Sequence, residues 1–434
     1  MNPEFQRNLY LELSISRLIA MPAFLLVIFS LSYLIDDQSL AETTANTAIG
    51  LFILIVLFWG TRQASENIFE ELRNNTWDIQ RTSAISPWSL SWGKLFGSTL
   101  YNWYGGLLCL LVYSFAAADT EFIALTWLYA LSSGILAHSL SLLVSLFALR
   151  RKQSYNSGIG YLFAVVLLFF LISLINNIDD FAMNALFWYG DFYTQSSFLA
   201  VSLILACCWS IIGVYRFLAE ELRIRTLPWV WLVFIGFLSI YIAGIITVNN
   251  NVSVQKTALN LILVWFFICS SFSYLLLFLD ENSPMLLRKI GLYWQNRQWP
   301  NLLQETPCWM VSVVLTLPAM IILALIPPIE KINHVYFYPL VIFLLMLRDI
   351  GLLLYFSYAQ NRRRARSLTL LVMVCLYGVL PAIFLAMHIN SIAWLILPVL
   401  NDNLFLAIFA AGMQTLIITF LLVQRWKNRI AMLG

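Results

Sequence analysis

The chain has 434 residues, 61% hydrophobic and only 11% charged, against about 25% charged in a soluble domain. That balance excludes a water-soluble enzyme or a nucleic-acid-binding module and places the chain among multi-pass membrane proteins. The formal net charge of +3 says little as a sum, because in such proteins the placement of Lys and Arg carries the information.

Read from the start, a polar stretch of about 17 residues precedes the first apolar run. A run of about 20 apolar residues is needed to cross a bilayer as a helix. Such runs fall at 18–35, 44–61, 95–117, 122–149, 158–176, 197–218, 228–248, 257–279, 308–326, 335–358, 368–389 and 404–423, twelve spans in all. The first is longer than a signal-peptide core and follows a long polar lead, so "SLA" at 39–41 is not expected to be a cleavage site. With both ends in the cytoplasm, only Lys256 and Lys331 lie in outer loops and Arg348 inside a span, while every other Lys and Arg is on the inner side. The reverse orientation inverts this bias, so the positive-inside rule sets the topology. Six cysteines (Cys109, Cys207, Cys208, Cys269, Cys308, Cys375) lie in or beside apolar runs and read as small apolar residues without metal-ligand spacing. The sequon at Asn251 reads as chance.

The halves 1–225 and 226–434 share a layout. The span at 44–61 precedes a polar, Trp- and Pro-bearing segment, 62–94, as the span at 257–279 precedes 280–307. Arg150-Arg151-Lys152 recurs about 212 residues later as Arg362-Arg363-Arg364. Each half has six spans, so the copies are expected to be parallel repeats about an axis normal to the membrane. The expected fold is all-α, twelve transmembrane helices in two six-helix repeats.

The segment 62–94 is longer than a connection between two helices requires. Thr76 to Trp88 reads as a short amphipathic helix, with Trp77, Ala84 and Trp88 near one face and Asp78 and Arg81 off it. Pro87, flanked by Ser86 and Ser89, suits a helix end and a fresh start. An interfacial helix accounts for the aromatic residues, but not for the length or the recurrence.

The run Glu71-Leu72-Arg73-Asn74-Asn75-Thr76-Trp77-Asp78, then Ser86-Pro87, then Gly93-Lys94-Leu95, resembles the stretch between the second and third spans of type-2 ABC exporter permeases. It departs at Asn75, where that family usually has Gly. The N-terminal "MNPEFQRNLYLELSISRL" is similar to the family's interfacial helix. The resemblance covers 1–225 well and the second half mainly in layout, since 280–307 lacks the Gly-Thr and Gly-Lys features. It implies a coupling helix docked into a separate nucleotide-binding subunit. Glu70, Glu71, Arg73, Thr76, Trp77, Asp78, Arg81, Ile85, Pro87 and Lys94 would form the first contact, with Trp77 and Ile85 as buried anchors. Arg288, Tyr293 and Trp294 would form a weaker second one. Two ATPase copies are the implied partners, with ATP and Mg on them, alongside membrane lipids and accessory subunits. An exporter in the bacterial cytoplasmic membrane follows, moving a lipid-like, peptide, glycan or amphipathic substrate.

No Gly-x-x-x-x-Gly-Lys-Ser/Thr loop is present to cradle phosphates, since Gly93-Lys94 is followed by Leu95 at a span entrance. No cofactor is expected on this chain. The three His (His138, His334, His388) are scattered, which disfavours an enzyme. A major-facilitator-like secondary transporter shares the six-plus-six plan. It would carry a long central loop, however, where residues 219–227 give about nine.

Arg348 and Asp349 sit mid-span, where a charge costs at least about 2.5–3.5 kcal/mol on insertion scales. As helix neighbours about 100° apart they are not expected to satisfy each other fully, and the repeat offset places His138 nearly opposite. Either a pathway lining or a static ion pair fits them. The outer loop 176–195 carries Asp179, Asp180, Trp188 and Asp191 without Lys or Arg. By resemblance it would be short, partly re-entrant helices forming an outer gate. An interfacial aromatic belt explains the rings equally well.

Overall fold

A computed structural model describes residues 2–35, 40–82, 85–117, 120–150, 185–222, 224, 228–246, 254–279, 284–325, 338–358, 365–401 and 403–431. With no water to satisfy exposed N–H and C=O groups in lipid, apolar runs of this length can only close their bonds within themselves as helices. Among the described residues ten helices are long and apolar enough to cross a membrane, and a bent pair could make an eleventh. The chain is thus a largely α-helical, polytopic membrane protein. The expected span at 158–176 lies outside the described residues, as do Arg151-Lys152 and Arg362-Arg363-Arg364.

Two compact units form, residues 1–186 with 192–226, and 187–191 with 227–434. In the first, α1 (Pro3–Glu12) starts on Asn2, whose side chain accepts from Glu4 N, with Pro3 in the first turn. Proline is tolerated there because its missing N–H would be unbonded anyway. There follow α2 (Ile15–Ile35), α3 (Leu40–Phe52), a π-helical stretch Ile53–Gly60, α4 (Thr61–Arg73), α5 (Thr76–Thr82) and α6 (Pro87–Trp92). After α6 come a second π stretch, Gly93–Gly97, then α7 (Leu100–Ala116), α8 (Thr120–Arg150) and α9 (Gln195–Glu221). Residues 42–73 form one 32-residue helix. The third span is bent by 54° between Gly97 and Leu100. Ser98 Oγ donates to Lys94 O (2.6 Å) and Thr99 Oγ1 to Leu95 O (2.9 Å), and such back-bonding to a preceding turn bends helices.

Lipid tails are as apolar as Leu, so helices associate by close packing and hydrogen bonds rather than by exclusion from water. Serines do this between α4, α8 and α9. Ser65 Oγ meets Ser145 Oγ at 2.9 Å, Ser141 Oγ donates to Thr61 O (2.8 Å), and Ser139 Oγ donates to Ser210 Oγ (2.7 Å). Met21, Phe52, Val56, Trp103 and Leu110 fill the core between α2, α3 and α7.

The second unit holds α10 (Trp229–Ile246), α11 (Val254–Leu279), α12 (Pro284–Gln295), α13 (Trp299–Glu305), α14 (Cys308–Leu325), α15 (Pro339–Ser357) and α16 (Ala365–Val374). A π stretch Cys375–Val379 leads into α17 (Leu380–Ala386), then α18 (Asn390–Ile396) and α19 (Leu404–Ala431). Phe266, Leu277, Trp309, Leu323, Met346 and Leu353 make its main core. Trp231 Nε1 donates to Ser312 Oγ (2.8 Å) and Trp265 Nε1 to Leu315 O (3.0 Å).

The expectation for the outer loop is corrected in its described part. Residues Ala185–Trp188 (β1) and Asp191–Thr194 (β2) pair as a hairpin, not as re-entrant helices. Tyr189 (φ 51°) and Gly190 (φ 89°) make the turn. Two successive positive φ values match the right-handed twist of a two-residue hairpin.

Candidate functional site

The 32-residue helix ending at Arg73 is about 48 Å long at 1.5 Å per residue. A hydrocarbon core of about 30 Å cannot cover the whole helix, and its last turns carry the charged residues Arg62, Glu66, Glu70 and Arg73. Asn75 reverses the chain with φ 55°, and its N–H reaches Leu72 O (3.2 Å). This is the left-handed region that Gly and, next best, Asn adopt cheaply. The departure from the usual Gly therefore leaves the turn intact. Thr76 Oγ1 donates to Glu71 O (3.2 Å), closing it.

The single helix expected from Thr76 to Trp88 is two helices. α5 stops at Thr82, and α6 restarts at Pro87 on Ser86, whose hydroxyl accepts from Ser89 N (3.2 Å). Trp77 faces inward. It is buried among Ile68, Leu90, Leu142, Leu146, Val214 and Leu218, with half-buried Ile85 against the same cluster. Trp77 and Ile85 are thus used by the chain's own packing, which corrects their assignment as anchors offered to a partner. The outward face of the tip carries Glu70, Arg73, Asn74, Asn75, Asp78 and Ile79, and Ile79 is 68% exposed. Arg81 lies in α5, its side chain outside the described residues, and Ala84 is outside them altogether. Trp88 is exposed and edge-on to Trp92 (5.6 Å) and Tyr215 (5.5 Å).

Beneath the tip lies a buried charge cluster. Lys94 is fully buried and bonds Glu71 through Nζ. Glu4 Oε1 is 4.0 Å from Lys94 Nζ, Gln80 Nε2 donates to Glu71 Oε1 (2.8 Å), and the Lys94 ammonium stands 5.2 Å over the Trp77 ring. Arg7 reaches both carboxylates, Glu4 at 3.3 Å and Glu71 at 3.5 Å. Two carboxylates and two cations balance, and each desolvated charge has partners, the condition for a buried ion cluster to persist. Asn8 Nδ2 donates to Gly93 O (3.2 Å) and Asn2 Nδ2 to Ser89 O (2.5 Å), so α1, α4, α5 and the start of the third span are tied together. Gly93 and Gly97 permit this: a Cβ there would meet Glu4 at 2.6 Å and Asn8 at 2.7 Å. Glu71 and Lys94 are therefore struts under the tip, not contact residues on it. Sequence reasoning missed Glu4, Asn8 and Gln80; the small-x-x-x-small spacing Gly93–Gly97 was the available signal.

The second-half segment has the same turn on different foundations. Arg297 (φ 54°) follows α12, with Arg297 N–H on Trp294 O (3.2 Å) and Gln298 N–H on Tyr293 O (2.9 Å). In α12 and α13 only Pro284 and Leu302 are buried. Trp294 is 62% exposed and edge-on to Trp299. Arg288 is exposed, and Tyr293 is half-buried, with Lys289 Nζ 5.7 Å over its ring. Lys289 pairs with Glu305 at 2.6 Å, which raises the Lys289 pKa.

Within the spans, Arg348 and Asp349 bond each other but do not satisfy each other alone. Arg348 Nε donates to Asp349 Oδ1 (2.9 Å), and Nη2 is 2.7 Å from the same oxygen. A long Arg side chain can swing back over the next residue although their Cβ directions diverge. Asp349 Oδ2 accepts from Tyr274 (2.8 Å) and Tyr377 (2.6 Å). Arg348 Nη1 donates to Gln414 Oε1 (2.5 Å), and Gln414 Nε2 donates to Leu395 O (2.5 Å) and Ile396 O (3.2 Å). The pair thereby ties α11, α15, the π stretch after α16, α19 and the short helix α18. His138 is not among these partners: its Nε2 bonds Val56 O at 2.9 Å and its ring stands edge-on to Trp103. Val56 belongs to the π stretch, and a Cβ on Gly60 would meet His138 Nε2 at 2.5 Å.

Trp188 Nε1 donates to Tyr241 O (3.1 Å) and Asp191 is exposed on β2. Asp179 and Asp180 lie outside the described residues. Among the described residues no group of His, Cys, Asp or Glu could hold a metal.

No curated protein and no solved structure matches this chain. Residues 26–197, the stretch that carries the projecting helix, its Asn75 turn and the buried Lys94, match the family model of the ABC-2 family transporter protein, so over this stretch the chain is similar to the membrane permeases of ABC transporters.

Proposed function

We propose that this chain is the permease subunit of an ATP-driven exporter, powered by a separate ATPase chain that docks on the tip formed by α4 and α5. The observation that carries this reading is the helix 42–73, which is about 18 Å longer than the hydrocarbon core is thick and ends in a turn braced by the Lys94–Glu71 cluster. The braced tip presents an exposed aliphatic, Ile79, and exposed charged residues, Asp78, Arg73 and Glu70. An apolar centre within a polar rim is the usual anatomy of an interface hot spot.

In this reading ATP and Mg are held by the ATPase, and this chain supplies the path. The struts from Lys94 and Glu71 to α1 and to the bent third span carry displacement of the tip into the membrane. The two π stretches of the first unit, Ile53–Gly60 and Gly93–Gly97, are where its helices yield, as π-bulges do at functional sites. Both termini are cytoplasmic, in a bacterial inner membrane. The substrate class is lipid-like, peptide, glycan or small amphipathic, and it moves outward. Purification from the native host is the test. A co-purifying nucleotide-binding protein whose hydrolysis responds to Ile79→Asp is the expected result. A chain that purifies without any such protein overturns the reading.

A further inference from the structure

The two inner segments differ in how far the helix of the preceding span continues into them. In the first half, the helix from residue 42 continues unbroken to Arg73. In the second, α11 ends with its span at Leu279, and α13 ends at Glu305, three residues before α14 enters the membrane at Cys308. The α12–α13 pair thus begins and ends within a few residues of a span. Their uncovered side chains are Met285, Leu292, Trp294, Trp299 and Leu303, each 49–62% exposed. Cations are interleaved with them: Arg288, Lys289 and Arg297, against Glu305 as the one carboxylate in 284–305. Trp, Leu and Met on a short helix with basic residues between them match the headgroup layer, where rings sit at the acyl boundary and cations meet lipid phosphates.

We infer that α12 and α13 form a lipid-binding surface lying in the headgroup layer and recognising anionic phospholipid, rather than a second ATPase dock. The inference needs only the membrane placement of α11 and α14, and it stands or falls separately from ATPase docking at Ile79. It makes the two halves unequal: one tip reaches into the cytoplasm and the other holds the bilayer.

Photocrosslinking in the full chain tests it. The variants Trp294→benzoylphenylalanine and Trp299→benzoylphenylalanine are reconstituted into vesicles of phosphatidylcholine with or without phosphatidylglycerol. The same two variants and a parallel Ile79→benzoylphenylalanine variant are also irradiated in host membranes. Positions 294 and 299 are expected to give lipid adducts enriched in phosphatidylglycerol. Arg288→Gln with Arg297→Gln should lower that enrichment by roughly fivefold for each cation removed. Absence of lipid adducts at 294 and 299, or adducts there to a nucleotide-binding protein in host membranes, overturns the inference. A lipid adduct with no preference for phosphatidylglycerol overturns its anionic specificity. Failure at 79 alone overturns ATPase docking and leaves the lipid surface standing.

Discussion

The segments after α4 and after α12 turn on residues with nearly the same backbone angle, φ 55° at Asn75 and 54° at Arg297, yet only the first is braced from beneath. Under Asn75 lie Glu71, Lys94, Gln80, Glu4 and Trp77, all buried. Around Arg297 the nearest ion pair, Lys289–Glu305, leaves both side chains more than a third exposed. The difference teaches that a shared helix–turn–helix says little about mechanical role. Stiffness comes from side chains that cannot regain water without moving, and only the first segment has them.

The sharpest way to break the comparison is to remove the brace. Lys94→Met leaves Glu71 and Glu4 buried without their central cation. Stranding one partner of a buried pair costs about 3–5 kcal/mol. Amide exchange over 3–12 should rise steeply in this variant and the thermal midpoint should fall. Adding Glu71→Gln should recover part of the loss, because the stranded charge is then gone. Exchange unchanged in Lys94→Met would mean the cluster does not hold α1.

Next in size is the tip itself. Ile79→Asp places a charge at the centre of the proposed contact and should weaken ATPase association by about 2 kcal/mol or more, roughly 30-fold, with the spans still folded. Trp294→Asp should not change ATPase association. Equal weakening by both would erase the asymmetry between the halves. Trp77→Ala, by contrast, should act as a core truncation, losing about 3–5 kcal/mol of stability, because the ring is packed inside the chain.

Smaller again is the turn. Asn75→Gly should be tolerated, whereas Asn75→Val should cost about 1–3 kcal/mol because a β-branched side chain does not fit positive φ. Differential unfolding of the pair of variants separates backbone strain from lost contacts, since Asn75 is exposed.

These outcomes bear on what was readable without coordinates. The spans were legible because about 20 apolar residues admit one solution in lipid, and the Ser86-Pro87 restart because proline fixes where a helix can begin. The direction each side chain takes was not. Trp77 and Lys94 sit in a motif that resembles a docking segment, and a motif does not say whether its residues face a partner or the chain's own interior. Glu4 escaped notice because its partner, Lys94, is ninety positions away and no local pattern links them. Arg348 and Asp349 were legible as charges needing partners. Their mutual bond was not, because helix geometry fixes Cβ directions but not the reach of a guanidinium. The hairpin at 185–194 did carry a local signal, aromatic residues clustered on both sides of Gly190, which the expectation of helices overrode.

The smallest expected effect lies on the second segment and concerns pH. Lys289 is held above its ordinary value of 10.5, chiefly by its hydrogen bond to Glu305, against an opposing desolvation and with lesser help from the charge of that carboxylate and from Tyr293. A raised folded-state pKa means the ammonium binds its proton more tightly folded than unfolded. The linked stability is therefore fully present below pH 10.5 and is lost as pH rises through the higher folded value. Both side chains are well exposed, so solvent and salt screen the pair and its worth is under about 1 kcal/mol. Lys289→Gln should leave the thermal midpoint nearly unchanged near neutrality and remove only the decline seen in strongly alkaline buffer. A loss comparable to that of Lys94→Met would show that the second segment is braced after all, and the contrast drawn from the two turns would fail.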